Sequence, residues 1–168
     1  NHQALLRVND RATGLMIRGV QEGSSGAEQL RSYAVSDERL RELFHPSPVE
    51  TLNESGEVAR TADLPALIVG RELATLYSIL PGTPVSLLSP SVTSSPFGLV
   101  PQFRRFVVAG VYQSGLIEYE SGVAYARLED AQKFFNMGDA VSGLEVRVAD
   151  VDAAPRIARD ITTALSPA

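Results

Sequence analysis

Apolar and β-branched residues cluster in two short runs at the start of the chain, residues 4–8 (ALLRV) and 13–20 (TGLMIRGV). Such runs are typical of strands, and Asn9-Asp10 between them is a turn signal, so a hairpin is predicted here. Residues 21–64 are more polar and irregular. Within them SDERLRELF predicts a helix, with Ser36 or Asp37 as its cap.

The middle of the chain is rich in strand patterns. An apolar run over residues 66–69 ends at Gly70, and a helix is expected from Arg71 up to a turn at Pro81-Gly82. Residues 84–89 (PVSLLS) and 105–112 (RFVVAGVY) predict the two strands of a hairpin. Because the second run is almost continuously apolar, we expect it to be central in its sheet.

The last third of the chain alternates strand and helix patterns. A strand over residues 122–128 is followed by a helix over LEDAQKFF, and residues 142–148 (SGLEVRV) alternate as a strand does. A final helix would place Ile157, Ile161 and Leu165 on a buried stripe. The predicted fold is α+β, with a strand-rich small lobe around residues 66–114 and a mixed strand-helix lobe built from residues 4–20 and 122–166.

Three segments are expected within this fold. They are an N-terminal portion of strands and irregular structure (1–64), the strand-rich lobe (65–121) and a C-terminal strand-helix portion (122–168). Because the chain begins inside a strand pattern without a leader, we expect it to be a piece of a longer protein.

Composition removes several classes of function. The 168 residues carry a net charge of −5, with acidic and basic residues interspersed, which does not favour nucleic acid or an anionic membrane as a partner. The absence of cysteine excludes disulfides, thiol catalysis and cysteine-based zinc sites. No apolar run reaches the roughly 20 residues that span a membrane.

Candidate catalytic residues are few. His2 and His45 have no partner at a metal-binding or catalytic spacing, and neither a nucleophile elbow nor a phosphate-binding glycine motif occurs. Glu118 and Glu120 would share a strand face, whereas Glu129 and Asp130 would open a helix, where carboxylates suit the helix dipole. We therefore expect no enzyme activity, no cofactor and no metal.

A long connection between the two central strands, residues 89–103, is the most distinctive stretch. It is about 15 residues long where hairpins normally need 2 to 5, and prolines flank the apolar tip around Phe97 and Leu99. Loops of this kind are commonly functional. Composition leaves two alternatives open: the tip projects as a contact loop, or it folds back to fill the domain's own core.

A specific resemblance covers residues 64–150. Its parts, in order, are IVGRELA, the Pro81-Gly82 turn, a strand ending in SP, SSPFGLVPQFRRF, VVAGVYQSGLIEYESGVAYARLEDAQKFF and GDAVSGLEVRVAD. This order resembles the periplasmic domain of the lipoprotein-releasing ABC transporter permeases, the LolC/LolE family with its combined single-permease forms. More broadly it is similar to the MacB-like periplasmic core of FtsX-like permeases.

The resemblance implies a protruding hairpin loop, the hook, that binds a LolA-like periplasmic lipoprotein carrier. The residues at the hook position are Pro96, Phe97, Gly98, Leu99, Val100 and Pro101, and those at the neighbouring carrier-binding pad are Arg104 and Arg105. It further implies a second permease subunit, cytoplasmic ATPase subunits that hydrolyse ATP, and lipoprotein cargo. The protein would lie in the inner membrane, with this part in the periplasm and the membrane-spanning helices outside this chain.

Other functions remain open from the sequence. The equivalent domain of another MacB-like or FtsX-like permease would couple an ATPase to a different periplasmic partner, and would not need an apolar, proline-flanked tip. A hydrolase would need a serine within reach of His45. A purely structural module would bind no carrier.

Overall fold

The computed structural model describes the backbone of residues 2–52, 58–95, 98–143 and 145–165, and the side chains of residues 2–50, 62–89, 102–143 and 145–165. Within these ranges the elements are β1 (His2–Val8), β2 (Arg11–Val20), α1 (Ser25–Ser32), α2 (Asp37–Phe44), β3 (Val49–Leu52), β4 (Val58–Ala62), β5 (Ala66–Gly70), α3 (Arg71–Tyr77), β6 (Pro84–Ser95), β7 (Gly98–Tyr112), α4 (Ile117–Gly122), β8 (Val123–Arg127), α5 (Leu128–Phe135) and α6 (Ala154–Leu165).

Six of these strands close a barrel in the order β1-β2-β8-β5-β7-β6. The β2–β8 and β5–β7 pairs are parallel, and the other four are antiparallel. Strands β3 and β4 form a separate antiparallel pair. The mixture of strands and helices confirms the α+β class.

The barrel draws its strands from both of the expected lobes. Strand β8, expected in the mixed lobe, pairs with β5 of the strand-rich lobe, and β1 of the mixed lobe pairs with β6. The structure therefore has one closed barrel built from strands of both predicted lobes. The physical reason is that closure pairs the edges that two separate sheets would leave open.

Strand alternation divides the core into two layers. Side chains that point into the barrel form one cluster, which includes Leu6, Leu67, Leu87, Phe106 and Ala124. Their sequence neighbours on β5, β7 and β8 point outward and pack with α1 and α2 in a second cluster, which includes Leu43, Ile68, Val107 and Tyr125. Strand β7 is buried on both faces where it joins the barrel, which confirms its predicted central position.

Local signals account for the helices that cover the barrel. Ser36 caps α2 as predicted, with its hydroxyl oxygen accepting a hydrogen bond from the Arg39 backbone N–H at 3.4 Å. Ser24 caps α1 in the same way through Ala27, also at 3.4 Å, although this helix was not predicted. Helix α1 buries only Ala27 and Leu30, which are too few apolar positions to give a helical period.

The two ends of the barrel are closed by different helices. Helix α3 follows β5, and α5 follows β8, which runs antiparallel to β5. They therefore lie at opposite ends. Phe134 of α5 packs edge-on against Phe106 inside the barrel, with 5.7 Å between ring centroids. Because β7 is parallel to β5, its N-terminal half extends from the end that α5 closes.

The C-terminal predictions are wrong in two respects. Residues 142–148 form no strand in the described positions on either side of residue 144, and Val146 is 54% exposed. The barrel is already closed, so it offers this alternating segment no free edge. Helix α6 forms, with Pro155 in its first turn, but none of its residues is buried and Leu165 is 64% exposed. Without a preceding strand on the sheet, the predicted stripe has no surface to pack on.

A glycine sets the approach of α4 to the barrel. A Cβ added at Gly70 would lie 2.1 Å from the Glu120 carbonyl oxygen, whereas one added at Gly14 would meet nothing within 4 Å. We predict that Gly70→Ala lowers the free energy of unfolding by about 1–3 kcal/mol, because backbone must move to relieve the overlap. Gly14→Ala should be neutral or slightly stabilising. Urea denaturation measures both, and equal effects would contradict the close approach.

Buried tyrosines link the outer core layer to α4. The Tyr112 hydroxyl donates a hydrogen bond to the Tyr119 carbonyl oxygen at 3.0 Å. The hydroxyl groups of Tyr119 and Tyr125 lie 2.5 Å apart. Burial raises the pKa of Tyr112, and the nearby Tyr119 and Glu120 raise it further. Burial, followed by the hydrogen bond to Tyr119, likewise raises the pKa of Tyr125.

These pKa shifts predict a loss of stability at high pH. The folded state keeps both hydroxyls neutral while the unfolded chain ionises near pH 10, so the stabilisation is complete below about pH 10 and falls as the pH rises beyond it. In a near-UV absorbance titration, Tyr112 and Tyr125 should ionise only as the native circular dichroism is lost. Tyr125→Phe should remove one late-ionising group. Ionisation of all 5 tyrosines in the folded protein would contradict this expectation.

Candidate docking surface at the β6–β7 ribbon

Strands β6 and β7 continue beyond the barrel as a two-stranded ribbon. The β1 partner of β6 ends at the Leu5–Leu88 pair, and the β5 partner of β7 begins at the Ala66–Val107 pair. Between these limits and the tip, the described residues pair only across the ribbon, up to Ser95 opposite Gly98. The span from Ser89 to Ser95 is about 20 Å of extended chain.

The ribbon corrects the expected irregular loop over residues 89–103. Residues 89–95 and 98–103 belong to strands, and the register shifts between Leu88 and Val92. Pro90 lies in that irregularity, and Pro101 lies on a strand with no second neighbour. Proline is accepted at such positions because no ladder hydrogen bond is required of its nitrogen. Pro90 and Pro101, which indicated a loop in the sequence, therefore lie in edge strands.

Of the predicted hook residues, Gly98 to Pro101 form the start of β7, and Gly98 belongs to the last described pair of the ribbon. Pro96 and Phe97 fall outside the described residues, between the end of β6 and the start of β7. For residues 98–101 the backbone is described as strand and the side chains are not. The exposure expected of Phe97 and Leu99 therefore stays a prediction.

The two arginines of the predicted pad lie on opposite faces of β7. Arg104 lies opposite Leu87 and has the parity of Phe106, which points into the barrel; its guanidinium carbon is 5.9 Å from the Phe106 ring centroid. Arg105 lies opposite Ser86 and is exposed on the outer face. Adjacent residues of a strand point to opposite sides, so the structure does not bring the pair into one patch.

The two histidines lie in different surroundings. His45 Nε2 lies 3.2 Å from a Glu22 carboxylate oxygen at the exposed surface, and the His2 ring lies 4.9 Å from that of Phe135. Over the described part of the chain, no group of three or more His, Cys, Asp or Glu side chains could hold a metal ion.

The candidate carboxylates have structural partners. Glu120 lies on α4 rather than on a strand, is 3% exposed and accepts hydrogen bonds from the backbone N–H groups of Ser114 at 2.6 Å and Gly115 at 2.8 Å. Asp130 accepts from Arg127 Nε at 3.0 Å. These carboxylates fix the loop before α4 and the start of α5, and they do not converge on a common point.

A cavity of about 440 Å³ lies between β2, α1, α5, residues 140–143 and Glu145. The Arg18 guanidinium on its wall is paired with Glu145 and donates to the Tyr119 hydroxyl at 3.2 Å. The charges of Arg18 and Glu145 on this wall are therefore matched with each other, whereas the His2 Nε2 atom, which also lines the cavity, is buried with no hydrogen-bond partner among the described residues. In the described residues, no helix is long and apolar enough to span a bilayer.

Known proteins resemble this chain over about 60% of its length. The chain is 33% identical over 100 residues to a protein of Xylella fastidiosa (strain 9a5c) named lipoprotein-releasing system transmembrane protein LolC. It is 29% identical over 91 residues to the LolC of Neisseria meningitidis serogroup B, which is 54% of the chain. No protein-family profile matches.

This chain is therefore similar to part of LolC. The resemblance to the LolC/LolE family seen in the sequence is thereby confirmed. The chain spans 24% of the length of the Xylella LolC and 22% of that of the Neisseria LolC. The likeness to LolC thus concerns one part of a longer relative.

The two carboxylates of α4 should differ in their effect on folding stability. Glu120→Ala should lower the free energy of unfolding by about 1–3 kcal/mol, because it leaves the N–H groups of Ser114 and Gly115 without their acceptor. Glu118 is exposed, and Glu118→Ala should change stability by no more than about 0.5 kcal/mol. Chemical denaturation of the two variants checks this, and similar stabilities would contradict the anchoring role of Glu120.

Proposed function

We propose that this chain is the periplasmic domain of a LolC-type ABC transporter permease and takes part in the release of lipoproteins from the inner membrane. The domain hands lipoproteins to a LolA-like periplasmic carrier through the tip of the β6–β7 ribbon, which acts as the hook of a MacB-like core. The observation that carries this proposal is the ribbon itself, in a chain homologous to LolC.

The ribbon supports this function on physical grounds. Its strands leave the barrel, so a partner can approach the tip without disturbing the closed core. The tip sequence PFGLVP combines apolar side chains with two prolines. Apolar anchors supply affinity, and prolines reduce the conformational entropy lost when the tip is ordered on a partner.

In this proposal the domain binds and positions, and it catalyses no reaction. Cytoplasmic ATPase subunits hydrolyse ATP, and a second permease subunit completes the transporter. Membrane-spanning helices outside this chain anchor the domain in the inner membrane, with the barrel on the periplasmic side.

The role of the tip is tested by Phe97→Ala. If Phe97 is an exposed anchor for the carrier, its truncation should weaken binding to a purified LolA-like carrier by about 1–2 kcal/mol, as for an interface hot spot. Folding stability should change by no more than about 0.5 kcal/mol. Calorimetric binding and thermal denaturation of the same variant give both quantities.

Two other outcomes would overturn the proposal. A destabilisation of about 3–5 kcal/mol would place Phe97 in the core and remove the hook. Absence of carrier binding by the unmodified domain would instead favour the periplasmic domain of another MacB-like or FtsX-like permease with a different partner.

A further inference from the structure

The cavity beside β2 includes a polar side chain that the described part of the protein leaves unpaired. The His2 ring forms part of the cavity wall, and its Nε2 atom is buried without a hydrogen-bond partner among the described residues. The ring lies against that of Phe135, with 4.9 Å between centroids, so packing holds it at the wall. Buried polar atoms in native proteins nearly always have a partner. The unpaired Nε2 therefore indicates a group that binds from outside the chain.

A single bridging water does not account for this space. The cavity measures about 440 Å³, whereas a water molecule occupies about 30 Å³ and needs about two to four polar partners. Pockets for small organic ligands measure roughly 300–1,000 Å³ and are mostly apolar. The apolar residues of the wall are Val20, Leu128, Ala131, Phe135, Met137 and Val141. A small organic molecule with an apolar body therefore suits the cavity.

The start of helix α1 supplies further hydrogen-bond donors. Ser25 and Gly26 line the cavity and lie in the first turn of this eight-residue helix. First-turn N–H groups have no acceptor within their own helix, and the Ser24 hydroxyl caps that of Ala27. The N–H groups of Ser25 and Gly26 can therefore donate to a ligand, and the helix dipole favours a negatively charged one.

The charges on the cavity wall also permit an anion. Among the described residues that line the cavity, Glu145 is the only acid, and its charge is matched by Arg18 in an ion pair. Arg18 donates in addition to the Tyr119 hydroxyl at 3.2 Å. Since imidazole Nε2 can carry a proton, His2 can act as a donor together with α1. Donors, an apolar wall and no unmatched carboxylate favour an anionic ligand.

We propose that this cavity binds a small carboxylate with an apolar body about the size of one aromatic ring. His2 Nε2 and the N–H groups of Ser25 and Gly26 supply the donors for the carboxylate. The Phe135 ring and the Met137 thioether contact the body, since both interact favourably with an aromatic ring. The site shares no residue with the β6–β7 ribbon, and it does not depend on carrier binding.

Amide-resolved NMR of the unmodified protein tests this site with phenylacetate as the probe. Sodium phenylacetate should shift the amide resonances of Ser25, Gly26 and Met137 and the ring nitrogen resonances of His2, and the shifts should saturate. Phenylacetamide has the same shape without the charge, and acetate has the charge without the ring. Each should bind roughly tenfold more weakly, because charge-assisted hydrogen bonds and apolar burial both contribute.

Two histidine variants separate the proposed donor from a surface histidine. His2→Phe keeps a ring against Phe135 but removes both nitrogens, so it should weaken phenylacetate binding roughly tenfold. His45→Phe is the matched control, because His45 is exposed and lies outside the cavity. This control should bind phenylacetate like the unmodified protein.

Two glutamate variants test the sign of the charge. Glu145→Gln removes the negative partner of Arg18 and leaves the guanidinium to attract an anion, so phenylacetate binding should strengthen severalfold. Glu38→Gln changes an exposed acid of α2 outside the cavity and should have no such effect. Phenylacetamide, which is uncharged, should bind alike to both variants.

Several results would overturn the proposal. They are the absence of saturable phenylacetate binding, equal binding of phenylacetate and phenylacetamide, and shifts centred on another apolar surface, such as that around Gly14 and Met16. Unchanged phenylacetate binding by folded His2→Phe and Glu145→Gln would also contradict it. Thermal denaturation shows whether each variant folds, and the spectra of the unmodified protein decide if one does not. Carrier binding is measured separately, so the proposed function stands or fails independently of this site.

Discussion

Closure of six strands into a barrel is the constraint on which the rest of this structure depends. Closure pairs both edges of each strand over part of its length, so the interior can be filled by alternate side chains such as Leu6, Leu87 and Phe106. It also determines where helices can attach. Helices α1 and α2 cover part of the outer wall, and α3 and α5 close opposite ends. The closed barrel has no free strand edge with which a further segment, such as residues 145–148, could pair.

Closure of the barrel also keeps the hydrophobic core apart from the β6–β7 ribbon. The core lies within the barrel and under its helices, whereas the β6–β7 ribbon extends past the last barrel pairings, Leu5–Leu88 and Ala66–Val107. A surface of this kind can bind a partner while the barrel stays unchanged.

Local signals in the sequence predict much of this fold but not its assembly. Ser36 marks the start of α2, Asn9-Asp10 marks the β1–β2 turn, and the apolar run before Gly70 marks β5, because each signal acts within a few residues. The parallel β2–β8 pair joins segments about 100 residues apart, and no local pattern indicates it. Pro90 and Pro101 indicated a loop because their tolerance depends on strand edges that appear only in the folded barrel. The resemblance placed Arg104 and Arg105 in one pad, but β7 begins at Gly98 and so directs these adjacent residues to opposite faces. Leu5 and Arg7 alternate outward on β1, but their proximity to Phe103 and Arg105 follows only from the β1–β6 pairing.

Shortening the ribbon tests most directly whether its tip binds the carrier. Residues 93–100 are replaced by Asn-Gly, a two-residue hairpin turn that connects Val92 to its partner Pro101. The measurement is the affinity of this variant for a purified LolA-like carrier, with its thermal unfolding recorded beside it. The barrel should keep its cooperative unfolding at nearly the same temperature, and carrier binding should be lost or strongly weakened. Undiminished binding, or a barrel that no longer folds without the tip, would contradict this expectation.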